Sequence, residues 1–197
     1  RSPNYDPGAD ASIARLAKKR GVSDMECIYD ALLENDGKAF VIFYVLGYQE
    51  KNFSPLRKML THPGSVLGLS DGGAHTRFAC DASIQTFLLS HWARPIAGDL
   101  KLDIEFVVKK QTSEPARLYG LNDRGILAPG KRADINLIDF DRLALRSPEV
   151  HYDLPAGGAR ILQPASGYAA TFVAGVQTRA ADKDTGARPG RLIRGRC

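Results

Sequence analysis

T-S-E-P-A-R-L-Y-G-L-N-D-R-G-I-L-A-P-G-K-R-A-D-I-N-L-I-D, residues Thr112 to Asp139, is the stretch on which the fold reading turns. Ser113-Glu114-Pro115 opens a short helix, because the fixed φ of proline suits a first helical turn. Asn122 to Gly125 and Pro129-Gly130 are turn signals. Ala133, Ile135 and Leu137 then alternate with Asp134 and Asn136, the period of a strand with one wet face. Helix-bearing sequence ends here and strand-bearing sequence begins, which places a boundary near residue 122 and divides the chain into 1–121 and 122–197.

Upstream, Asp10 is a candidate cap for a helix with Ile13, Leu16 and Ala17 at helical spacing, ended by Gly21. Ser23 and Glu26 form an S-x-x-E capping box for a second helix that Gly37 closes. Ala39 to Leu46 (A-F-V-I-F-Y-V-L) is continuously apolar, as a parallel strand covered on both faces would be. A helix runs from Ser54-Pro55 through Leu60, and Ser65 to Leu69 is a second short apolar run. Further helices are expected from about Ser83, with Ile84, Phe87 and Leu88 on one face and Asp81 as cap. Another follows Asp103, carrying Ile104, Val107 and Val108. Helices alternating with buried strands are βα units, which build an α/β barrel or a doubly wound sheet. Downstream, Tyr168 to Val173 is a strand that Ala174-Gly175 turns back into Val176 to Thr178.

Composition narrows the function classes. The 197 residues are 44% hydrophobic with a net charge of +5. From Arg179 onward six basic and two acidic residues contribute +4 of that charge, so the basicity belongs to a Gly/Arg-rich, solvated end rather than to a nucleic-acid-reading surface. Cys27, Cys80 and Cys197 are widely spaced and form no C-x-x-C pair, which argues against a disulfide framework or structural zinc. Reduced thiols, no apolar run of membrane-spanning length and no signal-peptide core within Arg1 to Asp10 point to the cytoplasm, with no membrane partner.

The sharpest chemical signal is V-L-G-L-S-D-G-G-A-H, Val66 to His75. A carboxylate just past a buried strand sits where α/β enzymes put catalytic groups, and the adjacent glycines allow close approach. Asp-Gly after a strand is also an ordinary turn. What lies around it favours the first reading. The segment Thr112 to Asp139, together with S-D-G-G-A-H followed by Cys80-Asp81-Ala82-Ser83, and with Asp153-Leu154-Pro155-Ala156-Gly157-Gly158, resembles the amidohydrolase superfamily. Within it, the combination is most similar to the N-acyl-D-amino-acid deacylase (D-aminoacylase) branch, and the resemblance covers nearly the whole chain.

That resemblance implies an α/β fold: the C-terminal part of a (β/α)8 TIM-type barrel, with Ala39 to Leu46 and Ser65 to Leu69 as its last two strands. Strands of a small β-sandwich would follow, shared with the N-terminal end of the protein. It implies zinc-dependent cleavage of the amide of an N-acyl-D-amino acid, with Asp71 as the general acid/base at the end of the final barrel strand. A zinc-bound water would attack the carbonyl, and Asp71 would carry its proton to the leaving amine. His75 is placed beside substrate, and Arg77 is the nearest guanidinium for the substrate carboxylate. In both positions a local structural role is the competing reading.

The sequence departs from the family in its metal ligands. The family's H-x-H pair and its middle-strand ligands should precede Arg1, and His62, His75, His91 and His151 have neither H-x-H nor H-E-x-x-H spacing. No metal ligand is therefore assigned within the chain. A complete barrel takes about 250 residues, so the chain is expected to be a portion of a longer enzyme, with the upstream part of the same protein as its partner. A hydantoinase-like cyclic-amide hydrolase is the nearest enzymatic alternative, and a non-catalytic scaffold the alternative of another class. Cys80 has no evident base to activate it. Trp92 and Tyr48 read as packing residues that could also line a pocket.

Overall fold

The computed structural model describes residues 3–68, 71 and 77–194. Helix α1, Ile13–Arg20, starts at Ser12, whose side chain accepts from the Arg15 N–H, and ends at Gly21 in the left-handed conformation, φ 73°. The cap is thus Ser12 and not Asp10; Asp10 instead meets Arg15 at 3.3 Å. Helix α2, Asp24–Gly37, is capped by Ser23, which accepts from the Glu26 N–H as the S-x-x-E pattern requires. Its helical geometry stops at Glu34 (ψ 153°), with Asn35 and Asp36 left-handed at φ 53° and 58°. Asn and Asp tolerate that region better than most residues, so the chain exits before Gly37.

The two expected barrel strands form no ladder. Residues 39–45 carry no regular secondary structure, and Phe40, Val41, Ile42, Phe43, Val45 and Leu46 are all exposed. Residues 65–68 are likewise irregular, and Leu69 lies outside the described residues. A strand needs neighbours to pair its N–H and C=O groups and cover its faces. Among the described residues every ladder is antiparallel, so the parallel sheet expected from the βα order is not formed here.

Between these runs lies α3, Ser54–Thr61, with Pro55 in its first turn. A 3-10 turn, Asp81–Ser83, leads into α4, Ile84–Phe87, which continues as a π turn through Leu88–Trp92. Helices α5, Ile104–Gln111, and α6, Ser113–Leu118, follow the sequence expectation. The core gathers Tyr48, Phe53, Leu88, Leu89, Trp92, Leu102 and Val107 from the helical part and Leu143 from the strand-rich part. Phe53 is at its centre, with Trp92 at 5.7 Å and Phe87 at 6.1 Å between ring centroids. Tyr48 and Trp92 are therefore packing residues, and Trp92 also lines a cavity, as the sequence allowed.

Among the described residues the strand-rich part holds eight short strands. β1 (Ile135–Ile138), β6 (Tyr168–Val173), β7 (Val176–Ala180) and β8 (Lys183–Asp184) form one sheet in the order β1-β6-β7-β8. β2 (Ala144–Leu145) pairs with β5 (Ala165–Ser166), and β3 (Glu149–Leu154) with β4 (Gly158–Leu162). Ala174-Gly175 makes the β6–β7 turn with φ 52° and 79°, the two left-handed positions of a tight hairpin. The motif Asp153 to Gly158 is also a hairpin connection, and Asp153 holds Arg160 across it through two bonds of 2.6 and 2.7 Å.

Candidate functional site

The segment leading to Asp71 is anchored before it reaches the aspartate. After α3, His62 turns the chain, and its Nδ1 accepts from the Gly64 N–H at 3.1 Å. The Ser65 hydroxyl donates to the carbonyls of Met59 and His62. The Ser65 carbonyl in turn accepts from Lys110 Nζ at 2.8 Å. Leu67 then packs against the core cluster. A mainly apolar cavity of about 240 Å³ lies alongside, walled by Leu56, Leu60, Val66, Leu67, Leu88 and Trp92, with Ser65 and Lys110 among its polar lining residues.

Asp71 is exposed in a turn. An exposed carboxylate is reachable by solvent and substrate, as a proton carrier must be. Arg77 is exposed in a turn that also holds Phe78, 77% exposed. His75 lies outside the described residues, so its assignment as a substrate contact rests on the sequence alone. Asp71 and Arg77 are thus both on the surface near the end of the anchored segment in sequence.

Cys80 is half-buried, and burial, then the neighbouring Asp81, push its thiol up from 9.0. A thiol shifted in that direction is less ionised at neutral pH. The three described histidines are dispersed. His62 is used in its turn, and His151 Nε2 lies 3.3 Å from Glu149. His91 is stacked on Phe87 at 4.8 Å, where burial lowers its pKa despite the opposing pull of Asp6. Among the described residues no group of three His, Cys, Asp or Glu side chains converges to hold a metal ion. The described residues therefore do not make a zinc site.

The Thr112 to Asp139 segment owes much of its pattern to a latch that sequence reading did not isolate. Asp134 accepts from the Ala174 N–H at 2.7 Å and from Arg132 Nε at 2.9 Å, and Arg124 reaches it at 3.4 Å. Burial alone would raise the Asp134 pKa, but the Ala174 N–H and the two arginines bring it below 3.8. Asp123 and Arg124 pair at 2.9 Å beside it. The D-R-G and R-A-D elements thus tie the turn region to the β6–β7 hairpin. Gly125, at φ 89°, packs so closely on α6 that an added Cβ would lie 2.7 Å from Ala116 Cβ. A second opening, about 630 Å³, is lined by Cys80, Ser83 and Thr86 together with Arg160, Ile161 and Thr171 of the strands.

No helix among the described residues is long and apolar enough to cross a membrane. Comparison with known proteins finds an uncharacterised protein of Mycobacterium bovis, 31% identical over 130 residues. Two uncharacterised proteins of Mycobacterium tuberculosis strains match to the same extent. In each case the match covers 65% of this chain and 21% of the relative, so the chain spans about a fifth of the length of the curated relatives it matches. No solved structure matches it. The Amidohydrolase family matches residues 3–179, a span that contains the anchored segment, Asp71, the Asp134 latch, the β3–β4 hairpin and all but the last residue of the β6–β7 hairpin, and the chain belongs to that family.

Proposed function

We propose that this chain is the C-terminal portion of a zinc-dependent hydrolase that cleaves the amide bond of N-acyl-D-amino acids, with Asp71 as general acid/base. The observation that carries this reading is the position of Asp71, exposed in the turn that follows an anchored apolar segment within the family match. In this reading Asp71 accepts the proton of the attacking water and returns it to the departing nitrogen, a task suited to a carboxylate open to the substrate side. Arg77 binds the substrate carboxylate through its planar fork, and His75 contacts the same substrate. Zinc ligands come from parts of the protein outside the described residues.

The same reading gives the exposed run 39–46 and the segment 65–69 as the last two strands of a (β/α)8 barrel, with 1–121 in that barrel and 122–197 in a small β-sandwich. The uncovered apolar side chains of Phe40, Val41, Ile42, Phe43, Val45, Leu46 and Val66 support it, since these are what strands lacking their neighbours would display. Free Cys27 and Cys80 fit a reducing compartment, which we take to be the cytoplasm.

The test is to express the complete protein, measure carboxylic acid released from N-acyl-D-amino acids before and after chelation, and compare Asp71→Asn. Chelator-sensitive release that Asp71→Asn abolishes is the expected result. Turnover of cyclic amides alone would move the chain to the hydantoinase-like reading, and no amide turnover at all to the scaffold reading.

A further inference from the structure

Lys110 is a charged residue only 6% exposed, on α5. Its ammonium meets Glu114 Oε2 on α6 at 3.1 Å and lies 5.6 Å from the centre of the Phe106 ring. Its third contact is the Ser65 carbonyl, at 2.8 Å. Two charges withdrawn from water in this way add little stability, because an apolar pair of similar volume often serves as well or better. The reason for the arrangement is then sought in what the ammonium grips. It grips the head of the segment that leads to Asp71, at a residue whose hydroxyl is already fixed to the end of α3.

We propose that Lys110, oriented by Glu114, is a positioning residue that sets where the Asp71-bearing segment begins. This rests on the reading of Asp71 as the acid/base. Lys110 touches no reacting atom. It acts by joining α5, α6 and the 65–68 segment through one buried cation, while the Ser65 hydroxyl ties the same residue to α3, so that the chain departs toward Asp71 from a fixed point. Misplacement of a reacting group by about 1 Å can cost on the order of a hundredfold in rate, which makes such an anchor worth the burial of a charge.

The experiment uses the complete protein with the N-acyl-D-amino acid it turns over fastest. The double variant Lys110→Met/Glu114→Leu removes both charges together and so leaves neither uncompensated. We expect an unfolding midpoint close to the parent, kcat lowered at least about tenfold, KM within about threefold, and faster amide exchange over residues 65–68. Lys110→Arg keeps a charged donor and should hold kcat within about threefold of the parent. A folded double variant with parental kcat and parental exchange overturns the proposal. Should the double variant fail to fold, a folded Lys110→Arg that loses more than about tenfold in kcat, with protection over 65–68 intact, overturns it instead. The two readings fail differently: a neutral Asp71→Asn beside accelerated exchange in the double variant removes the acid/base assignment, whereas an inactive Asp71→Asn beside a fully active double variant removes the role of Lys110.

Discussion

At the scale of single residues, the acid/base assignment makes a direct demand on Asp71. The amide of Asp71→Asn keeps the size of the side chain but cannot carry a proton, so turnover should fall by about 10²–10⁴. Because Asp71 is exposed, the unfolding free energy should stay within about 0.5 kcal/mol of the parent. Steady-state kinetics beside chemical unfolding measures both, and near-parental turnover would return S-D-G-G to an ordinary turn. His91 gives a pH-dependent prediction. Burial against Phe87 holds its pKa below 6.5, so on acidification the unfolded chain takes up this proton before the folded one. The stability tied to neutral His91 is therefore fully present above 6.5 and declines as pH falls from 6.5 toward the lower folded value. His91→Phe keeps a ring for the stack and removes the proton. Thermal unfolding between about pH 7.5 and 5.5 should show a shallower decline for the variant than for the parent; parallel curves would show that His91 does not control this slope.

At the scale of elements, the sharpest steric constraint lies where β6 begins. Gly167, at φ 102°, sits so close to Leu143 that an added Cβ would lie 2.6 Å from the Leu143 Cα. Leu143 is fully buried, and the neighbouring Tyr168 N–H is held by Asp182 at 2.6 Å, so neither side can readily move away. Gly167→Ala should cost roughly 2–4 kcal/mol from backbone strain and overlap, read by denaturant unfolding. A loss under about 0.5 kcal/mol would mean that the strand start relaxes freely. Local signals of this kind were partly legible in the sequence. Ser23, Gly21, the Ser54-Pro55 start and the Ala174-Gly175 turn each depend on neighbours within a few positions, and each appears where its chemistry requires. Ser12 displaced Asp10 because both can cap and the choice depends on where the chain enters. The β3–β4 hairpin was missed because its turn, Asp153 to Gly158, was read only as a family motif. The apolar runs 39–46 and 65–69 carry the composition of strands, but pairing is a property of neighbours and no local pattern supplies them. The Asp134 latch and the Lys110 anchor were illegible for the same reason: their partners lie 40 and 45 residues away.

At the scale of the whole molecule, the proposed substrate class has a stereochemical consequence. An N-acyl-amino acid presents three features at one carbon: the amide to be cut, the carboxylate and the side chain. If Arg77 fixes the carboxylate while Asp71 stands over the scissile amide, two of the three directions are set, and exchanging enantiomers sends the side chain where the hydrogen was. Either the side chain then clashes or the carbonyl leaves the position in which attack is aligned, and lost alignment is paid in rate more than in binding. The complete protein should therefore release carboxylic acid from N-acyl-D-amino acids at least about tenfold faster than from the L-enantiomers, with most of the difference in kcat/KM. Arg77→Ala should weaken both enantiomers and narrow the gap between them, because the carboxylate is then free to turn. Chromatographic measurement of the released amino acid, enantiomer by enantiomer, reads the outcome directly. Equal rates or a preference for L-substrates would exclude the D-aminoacylase branch while leaving membership of the amidohydrolase family untouched. An unchanged D/L ratio in Arg77→Ala would instead place the carboxylate contact on another residue.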